Sequence, residues 1–256
     1  MPVVLYEKKD RVAYITLNRP ESMNAINTEL RDALLEAWKD FNDDDETWVA
    51  IVTGSGERAF CVGGDLKERA ARDSGQRARQ QGRLLPSLAF GLNIWKPVIA
   101  AINGYCLGGG FQLAQYCDFR ICADHALLGV TEVKRGMAAA WTVDLAKLIG
   151  LAHALEIALT GEHITAQRAY EVGFVNKVVP KAELMDETEK LARILVNNAP
   201  LAMRGLKEIL YRCIALPHEQ AETIARHILH PVAVSEDIKE GPRAFTEKRK
   251  PVWKGR

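Results

Sequence analysis

The chain has 256 residues, 48% of them hydrophobic, and a net charge of +1, enough apolar chain for a full core and too near neutrality to hold nucleic acid or an anionic membrane by charge alone. Its first residues lack a charged lead, a long apolar run and a small-residue cleavage site, and no stretch reaches the roughly 20 apolar residues of a membrane span. Five cysteines, an odd number without CxxC or histidine pairing, predict reduced, inert thiols in a cytoplasmic protein rather than disulfides or a metal site.

The opening third alternates β-rich runs with a helical pattern: Val3 to Glu7, Arg11 to Leu17, Asn27 to Phe41, then Val49 to Thr53. That rhythm predicts an α/β domain. Asn27 is a good N-cap, and Leu30, Leu34, Leu35, Trp38 and Phe41 recur at helical spacing as core. The segment Gly54 to Leu66 carries two glycine clusters after a strand, as a loop approaching a ligand by its backbone would, and Asp65 is placed to cap the next helix. From Glu68 to Gln81 the chain is polar and Arg-rich (Arg69, Arg72, Arg77, Arg79) and is expected to be mobile or exposed; Leu84 to Leu92 resume a helical pattern.

Lys96-Pro97 launches Val98 to Ile102, an apolar run with the look of a buried parallel strand. A glycine triplet, Gly108-Gly109-Gly110, follows and opens a helix. Asp118 to Ala123 and Ala126 to Val130 read as strands, Ala140 to Leu159 as a helix, and Val175 to Val178 as one more strand. The rest is helical: Ala166 to Val172, Lys181 to Asn197, Leu201 to Ile214, His218 to His230 and Ser235 to Lys248. We therefore expect an α/β core over residues 1–199 and a helical region over 200–256, with no linker between them.

A helix that begins in glycines points unpaired N–H groups and its positive dipole end at whatever sits above it, which suits an oxyanion; the same glycines also serve close strand–helix packing. The spacing is not that of a dinucleotide fingerprint, and there is no Walker lysine. The six histidines form no metal-binding pattern, and no nucleophile elbow is present.

The order and spacing of several segments together resemble the crotonase superfamily, the enoyl-CoA hydratase/isomerase family. They are Asn18-Arg19-Pro20 through Ile26, Phe60 through Asp65, Lys96 through Gly104, the triplet through Asp118, Leu159 through Glu162 with Ala166, Gly173 through Asn176, and Phe245 through Pro251. The resemblance implies a crotonase-like ββα spiral with a C-terminal helical region that assembles a homotrimer or a dimer of trimers. It implies an acyl-CoA substrate, with no cofactor beyond the CoA carried by the substrate. By matching position it assigns the backbone amides of Gly64 and Gly109 to the thioester oxygen, where one such donor is typically worth ~3 kcal/mol of barrier. It places the CoA against Ser22, Met23, Ala25, Val62 and Gly63, and assigns Phe245 and Lys248 to the CoA nucleotide, often that of a neighbouring subunit.

Hydratases of that family carry two glutamates, at the positions of residues 112 and 132. This chain has Gln112 and Glu132, and an amide neither takes nor supplies a proton at a useful pKa, although it orients a water or a carbonyl. One carboxylate suffices to move a proton along an allylic system, so the resemblance implies double-bond isomerisation with Glu132 as acid and base. The alternatives are hydration with Gln112 orienting water, or CoA binding without catalysis. Trp141 is a candidate wall of the acyl pocket, equally a packing aromatic, and Asp144 a candidate second carboxylate, more readily a capping or surface group.

Overall fold

A computed structural model describes residues 1–71 and 85–256. The polar Arg-rich expectation from Arg72 onward and Leu84 lie outside the described residues; from Leu85 to Leu92 the chain forms turns in place of the expected helical pattern. Strands β1 (Val4–Lys9), β2 (Val12–Leu17), β3 (Val49–Gly54), β5 (Val98–Ile102), β7 (Phe119–Ala123) and β10 (Lys177–Val179) form one sheet in the order β1-β2-β3-β5-β7-β10. Only β1–β2 is antiparallel; the other pairs are parallel. Every residue of β5 is buried, as a central strand covered on both faces must be.

A second sheet, β4 (Ala59–Cys61), β6 (Tyr105–Leu107), β8 (Leu127–Gly129) and β9 (Ile164–Thr165), runs in that order. The sequence places the β4 residues in a glycine-rich loop and assigns no element to those of β6 and β9, because two or three residues are too few to show a period of two. Strands β4, β6 and β8 are mutually parallel, with Cys61 beside Cys106 and Cys106 beside Leu128. Their C-terminal ends therefore open on one edge of the sheet.

The helices follow the predicted pattern with local corrections. Asn27 accepts the Leu30 N–H at 2.9 Å and caps α1 (Thr28–Asp43), and Asp65 accepts from Lys67 N at 3.1 Å ahead of α2 (Leu66–Ala71). The triplet opens α3 (Gly109–Tyr116). The single helix expected over 140–159 is a 3-10 turn (Ala140–Asp144), α4 (Leu145–Ile149) and α5 (Leu151–Thr160), because Gly150 takes φ +77° and breaks the run. Next come α6 (Ala166–Glu171), α7 (Leu184–Val196), α8 (Pro200–Cys213), α9 (His218–Ala233) and α10 (Asp237–Thr246).

Helix α8 is tied to the core by charge as well as packing. Lys207 Nζ donates to the Lys96 carbonyl (2.8 Å) and to Asp118 Oδ2 (2.7 Å), and the Tyr211 hydroxyl donates to Asp118 Oδ1 (3.2 Å). No helix among the described residues is long and apolar enough to cross a membrane.

Candidate active site

Three loops leave the shared edge of the second sheet: Val62–Asp65 after β4, Gly108–Gly110 after β6, and Val130–Glu132 after β8. Parallel strands deliver their carboxyl ends together, and ligands bind in that position in α/β proteins. The first two loops touch. A Cβ added to Gly63, whose φ is +91°, would stand 2.8 Å from the Gly109 nitrogen, and one added to Gly110 would stand 2.0 Å from the Cys61 carbonyl oxygen. Residues with side chains would wedge the loops apart.

The amides this contact brings together are not consumed by the fold. Ile26 N donates to Gly63 O (2.8 Å) and Asp65 N to Ile26 O (2.9 Å), a bridge that passes over the Gly64 N–H without using it. Gly109 is the first residue of α3, and its N-cap, Gly108, has no side chain to cap with. Neither the Gly64 nor the Gly109 amide has a partner among the described residues. Gly63 N, by contrast, donates to Cys61 Sγ (3.4 Å).

Ser22, Met23 and Ala25 lie against the first loop. Val62 N donates to Met23 O (3.3 Å), and the segment is fixed by fully buried Asn24, which accepts from Arg19 N (3.0 Å) and donates to Ser55 O (3.0 Å) and Ala59 O (2.9 Å). Met23 and Asn24 both have positive φ, a conformation asparagine tolerates better than most residues. Arg19 Nη1 donates to Ala25 O (2.6 Å) and Asp65 Oδ2 (3.1 Å). Sequence reasoning had quoted Arg19 and Asn24 as motif residues without a role; their role is to hold the loop that presents Gly64.

Glu132 reaches the second loop. Its Oε1 lies 3.3 Å from where a Cβ on Gly108 would be, and its Oε2 is buried without a partner among the described residues. Burial raises its pKa above the ordinary glutamate value, opposed by its own backbone N–H and by the charges of Arg135 and Arg69. Gln112 is fully buried one turn into α3. Its Nε2 donates to Leu85 O (2.8 Å) and to the Tyr116 hydroxyl (3.3 Å), while its Oε1 has no partner among the described residues. Because a carbonyl only accepts, Leu85 fixes which way the amide faces, and the unused atom is an acceptor.

The remaining candidates make other contacts. Trp141, 3% exposed, stacks on Phe111 (centroids 6.0 Å), which stacks on Phe174 (4.2 Å), and its carbonyl accepts from Gln115 Nε2 (2.9 Å). The ring packs in the core, as the packing reading expects. Asp144 faces solvent, paired with Lys147 (2.9 Å). Phe245, 86% exposed, and exposed Lys248 stand at the end of α10. Cys106 is fully buried and its thiol pKa lies well above the ordinary value, as burial dictates; Cys61 is pushed up to about 12 for the same reason. Neither is a nucleophile in this setting. Two surface grooves, of about 350 and 400 Å³, lie against α7 and the C-terminal segment, and no glycine-loop residue lines either.

Residues 7–256 match the family model described as enoyl-CoA hydratase/isomerase. The chain is 43% identical over 248 residues to a carnitinyl-CoA dehydratase of Salmonella enteritidis PT4, covering 94% of both. Among solved structures it resembles an enoyl-CoA hydratase from Bacillus anthracis (TM-score 0.91, 34% identity, 99% of this chain and 100% of that one). It also resembles an enoyl-CoA hydratase from Mycobacterium tuberculosis H37Rv (TM-score 0.89, 36% identity, all of both chains).

Proposed function

The chain belongs to the enoyl-CoA hydratase/isomerase family, and we propose that it adds water to, or removes it from, an acyl-CoA thioester with one carboxylate, Glu132, in place of two. The observation that carries this is the pair of unpartnered acceptors beside the bare glycine amides: Glu132 Oε2 and Gln112 Oε1. In the dehydration direction Glu132 takes the α-proton of a 3-hydroxyacyl-CoA, and the charge that moves onto the thioester oxygen is met by the Gly64 and Gly109 N–H groups. Glu132 then passes that proton to the β-hydroxyl, the C–O bond breaks, water leaves and the enolate collapses to the 2-enoyl thioester. Gln112 accepts the hydroxyl O–H through Oε1 and holds it in place; hydration is the reverse.

The names of the similar proteins, dehydratase and hydratase, support water chemistry. The lack of an acid at residue 112 supports a second reading, in which Glu132 carries a proton from the α- to the γ-carbon of a 3-enoyl-CoA. Following the conjugated enoyl-thioester absorbance separates them. Loss of absorbance with a 2-enoyl-CoA is expected; a gain confined to 3-enoyl-CoA would replace hydration by isomerisation, and no change with either would overturn both for simple acyl chains.

Assembly belongs to the same proposal. Leu206, Leu210 and Ile214, at 56%, 70% and 67% exposure, form one ridge on α8, and we read the region from Pro200 onward as the surface through which copies join into a trimer or a pair of trimers. Exposed Phe245 and Lys248 then reach the CoA nucleotide of a neighbouring copy.

A further inference from the structure

Four consecutive amides follow strand β4, and three of them have partners within the fold. Val62 N donates to Met23 O (3.3 Å), Gly63 N to Cys61 Sγ (3.4 Å) and Asp65 N to Ile26 O (2.9 Å). The Gly64 N–H alone of the four has none among the described residues. Two of the three acceptors are backbone carbonyls, which any residue supplies. The third is the Cys61 sulfur, and it serves the position where the chain turns most freely: Gly63 has φ +91°, and glycine takes positive and negative φ about equally readily.

The two peptides that flank Gly63 are held separately. Ile26 N donates to Gly63 O (2.8 Å), and because C=O and N–H point opposite ways across a trans peptide, this bond turns the Gly64 N–H away from Ile26. The preceding peptide is held through the Gly63 N–H by Cys61 Sγ. Cys61 also meets the second loop. It lies beside Cys106 of β6, and a Cβ on Gly110 would stand 2.9 Å from Cys61 Cβ. Burial pushes the Cys61 thiol up to about 12, so the sulfur is a neutral acceptor and sets no negative charge beside a developing oxyanion.

We propose that Cys61 is a positioning residue for the oxyanion site: its sulfur occupies the Gly63 N–H, so that Gly64 and not Gly63 donates beside Gly109. This rests on the acyl-CoA reading above. Without the sulfur a buried Gly63 N–H loses its acceptor, and a peptide next to a glycine is free to rotate towards another one, the ligand oxygen included. Gly63 also lies against the second donor, since a Cβ added to it would stand 2.8 Å from Gly109 N, so its rotation disturbs both halves of the site.

Acetoacetyl-CoA tests this without turnover, because its α-proton is acidic, its enolate absorbs in the near ultraviolet, and donors at the thioester oxygen lower the pH at which the bound enolate forms. Butanoyl-CoA, of equal chain length and without that acidity, reports ground-state binding. In Cys61→Ala the bound enolate should form about one pH unit higher than in the parent, a tenfold loss, which is part of what a missing oxyanion donor costs. Butanoyl-CoA affinity should stay within about twofold of the parent, and Cys61→Ser, whose hydroxyl restores an acceptor, should return the enolate pKa to within about 0.3 of the parent's. An unchanged enolate pKa in Cys61→Ala overturns the proposal. So does an equal loss of affinity for both thioesters, or a Cys61→Ser variant that behaves as Cys61→Ala does, because the sulfur would then serve packing alone. Binding of neither thioester by the parent overturns the acyl-CoA reading itself, and this proposal with it.

Discussion

At its C-terminal end helix α3 leaves one buried side-chain acceptor unpaired among the described residues, Gln115 Oε1, while its N-terminal end, seven residues away, gathers several open groups. Arg120, 5% exposed, donates through Nη1 to Ala114 O (3.1 Å) and Cys117 O (2.5 Å) and through Nε to Phe174 O. Its guanidinium lies 5.1 Å from the ring centre of Phe174, which stacks on Phe111 of α3. Among the described residues no carboxylate closes an ion pair with it; the helix dipole's negative end, four carbonyls counting Asp118 O (3.5 Å) and the charge of Asp118 offset the burial of its own. The other end has an uncapped Gly109 amide, an unused Gln112 acceptor and the Glu132 oxygen without a partner. A buried unsatisfied group costs about 1–3 kcal/mol, and most of those on or beside α3 stand at its N-terminal end, against Gln115 Oε1 at the other, which is the distribution the proposed acyl-CoA site expects. The end held by Arg120 supplies rigidity.

The widest expected effect comes from removing the base at the open end. Glu132→Gln keeps the shape and abolishes proton transfer; kcat should fall by about 10²–10⁴-fold with little change in acyl-CoA affinity by calorimetry. Retained turnover would remove Glu132 from the mechanism. Disturbing the end held by Arg120 should act on stability instead. Arg120→Met removes the guanidinium donor from the carbonyls of Ala114, Cys117 and Phe174, of which Ala114 O keeps Cys117 N (3.2 Å), and denaturant unfolding should show a loss of about 3–5 kcal/mol. A loss within ~0.5 kcal/mol would show that the two ends differ less than their hydrogen bonds imply.

How much of this was legible in the chain depends on length scale. Helix α1 and strand β5 were readable because five or more apolar residues in sequence show a period or an unbroken run. The sheet that carries the site was not, since β4, β6 and β9 have three residues or fewer. Gly64, Gly109 and Glu132 are assigned only through family position, and the structure places all three after parallel strands. Leu85 O and Arg120 were beyond sequence reasoning altogether. A backbone carbonyl has no residue-type signal, and an arginine inside an apolar strand announces burial without naming its partners.

Gln112→Glu tests the open end more gently. The new carboxylate would set acceptor against acceptor at the 2.8 Å Leu85 contact, unless it holds a proton or the Leu85 segment moves. We expect a stability loss of about 1–3 kcal/mol at neutral pH, diminishing in acid as the side chain protonates. If hydration of a 2-enoyl-CoA rises nevertheless, the amide is what limits water addition in the parent chain; an unchanged rate would put the limit elsewhere.

The smallest effect is a pH dependence with two faces. Burial first, against the pull of Arg135 and Arg69, holds the Glu132 pKa above the ordinary glutamate value. As a base Glu132 works ionised, so kcat/KM should climb with pH through that raised value, and an acid limb at or below the ordinary value would contradict the burial of Oε2. The same shift favours the neutral side chain in the folded state, a contribution fully present below the unfolded glutamate pKa and lost as pH rises through the folded one. Glu132→Gln, which carries no charge to bury, should therefore be slightly more stable than the parent at pH 7 and lose that advantage in acid. Paired denaturant curves at the two pH values check it: a variant less stable than the parent at pH 7 would mean that the carboxylate has partners in the folded protein, and that the open end of α3 is less open than its geometry shows.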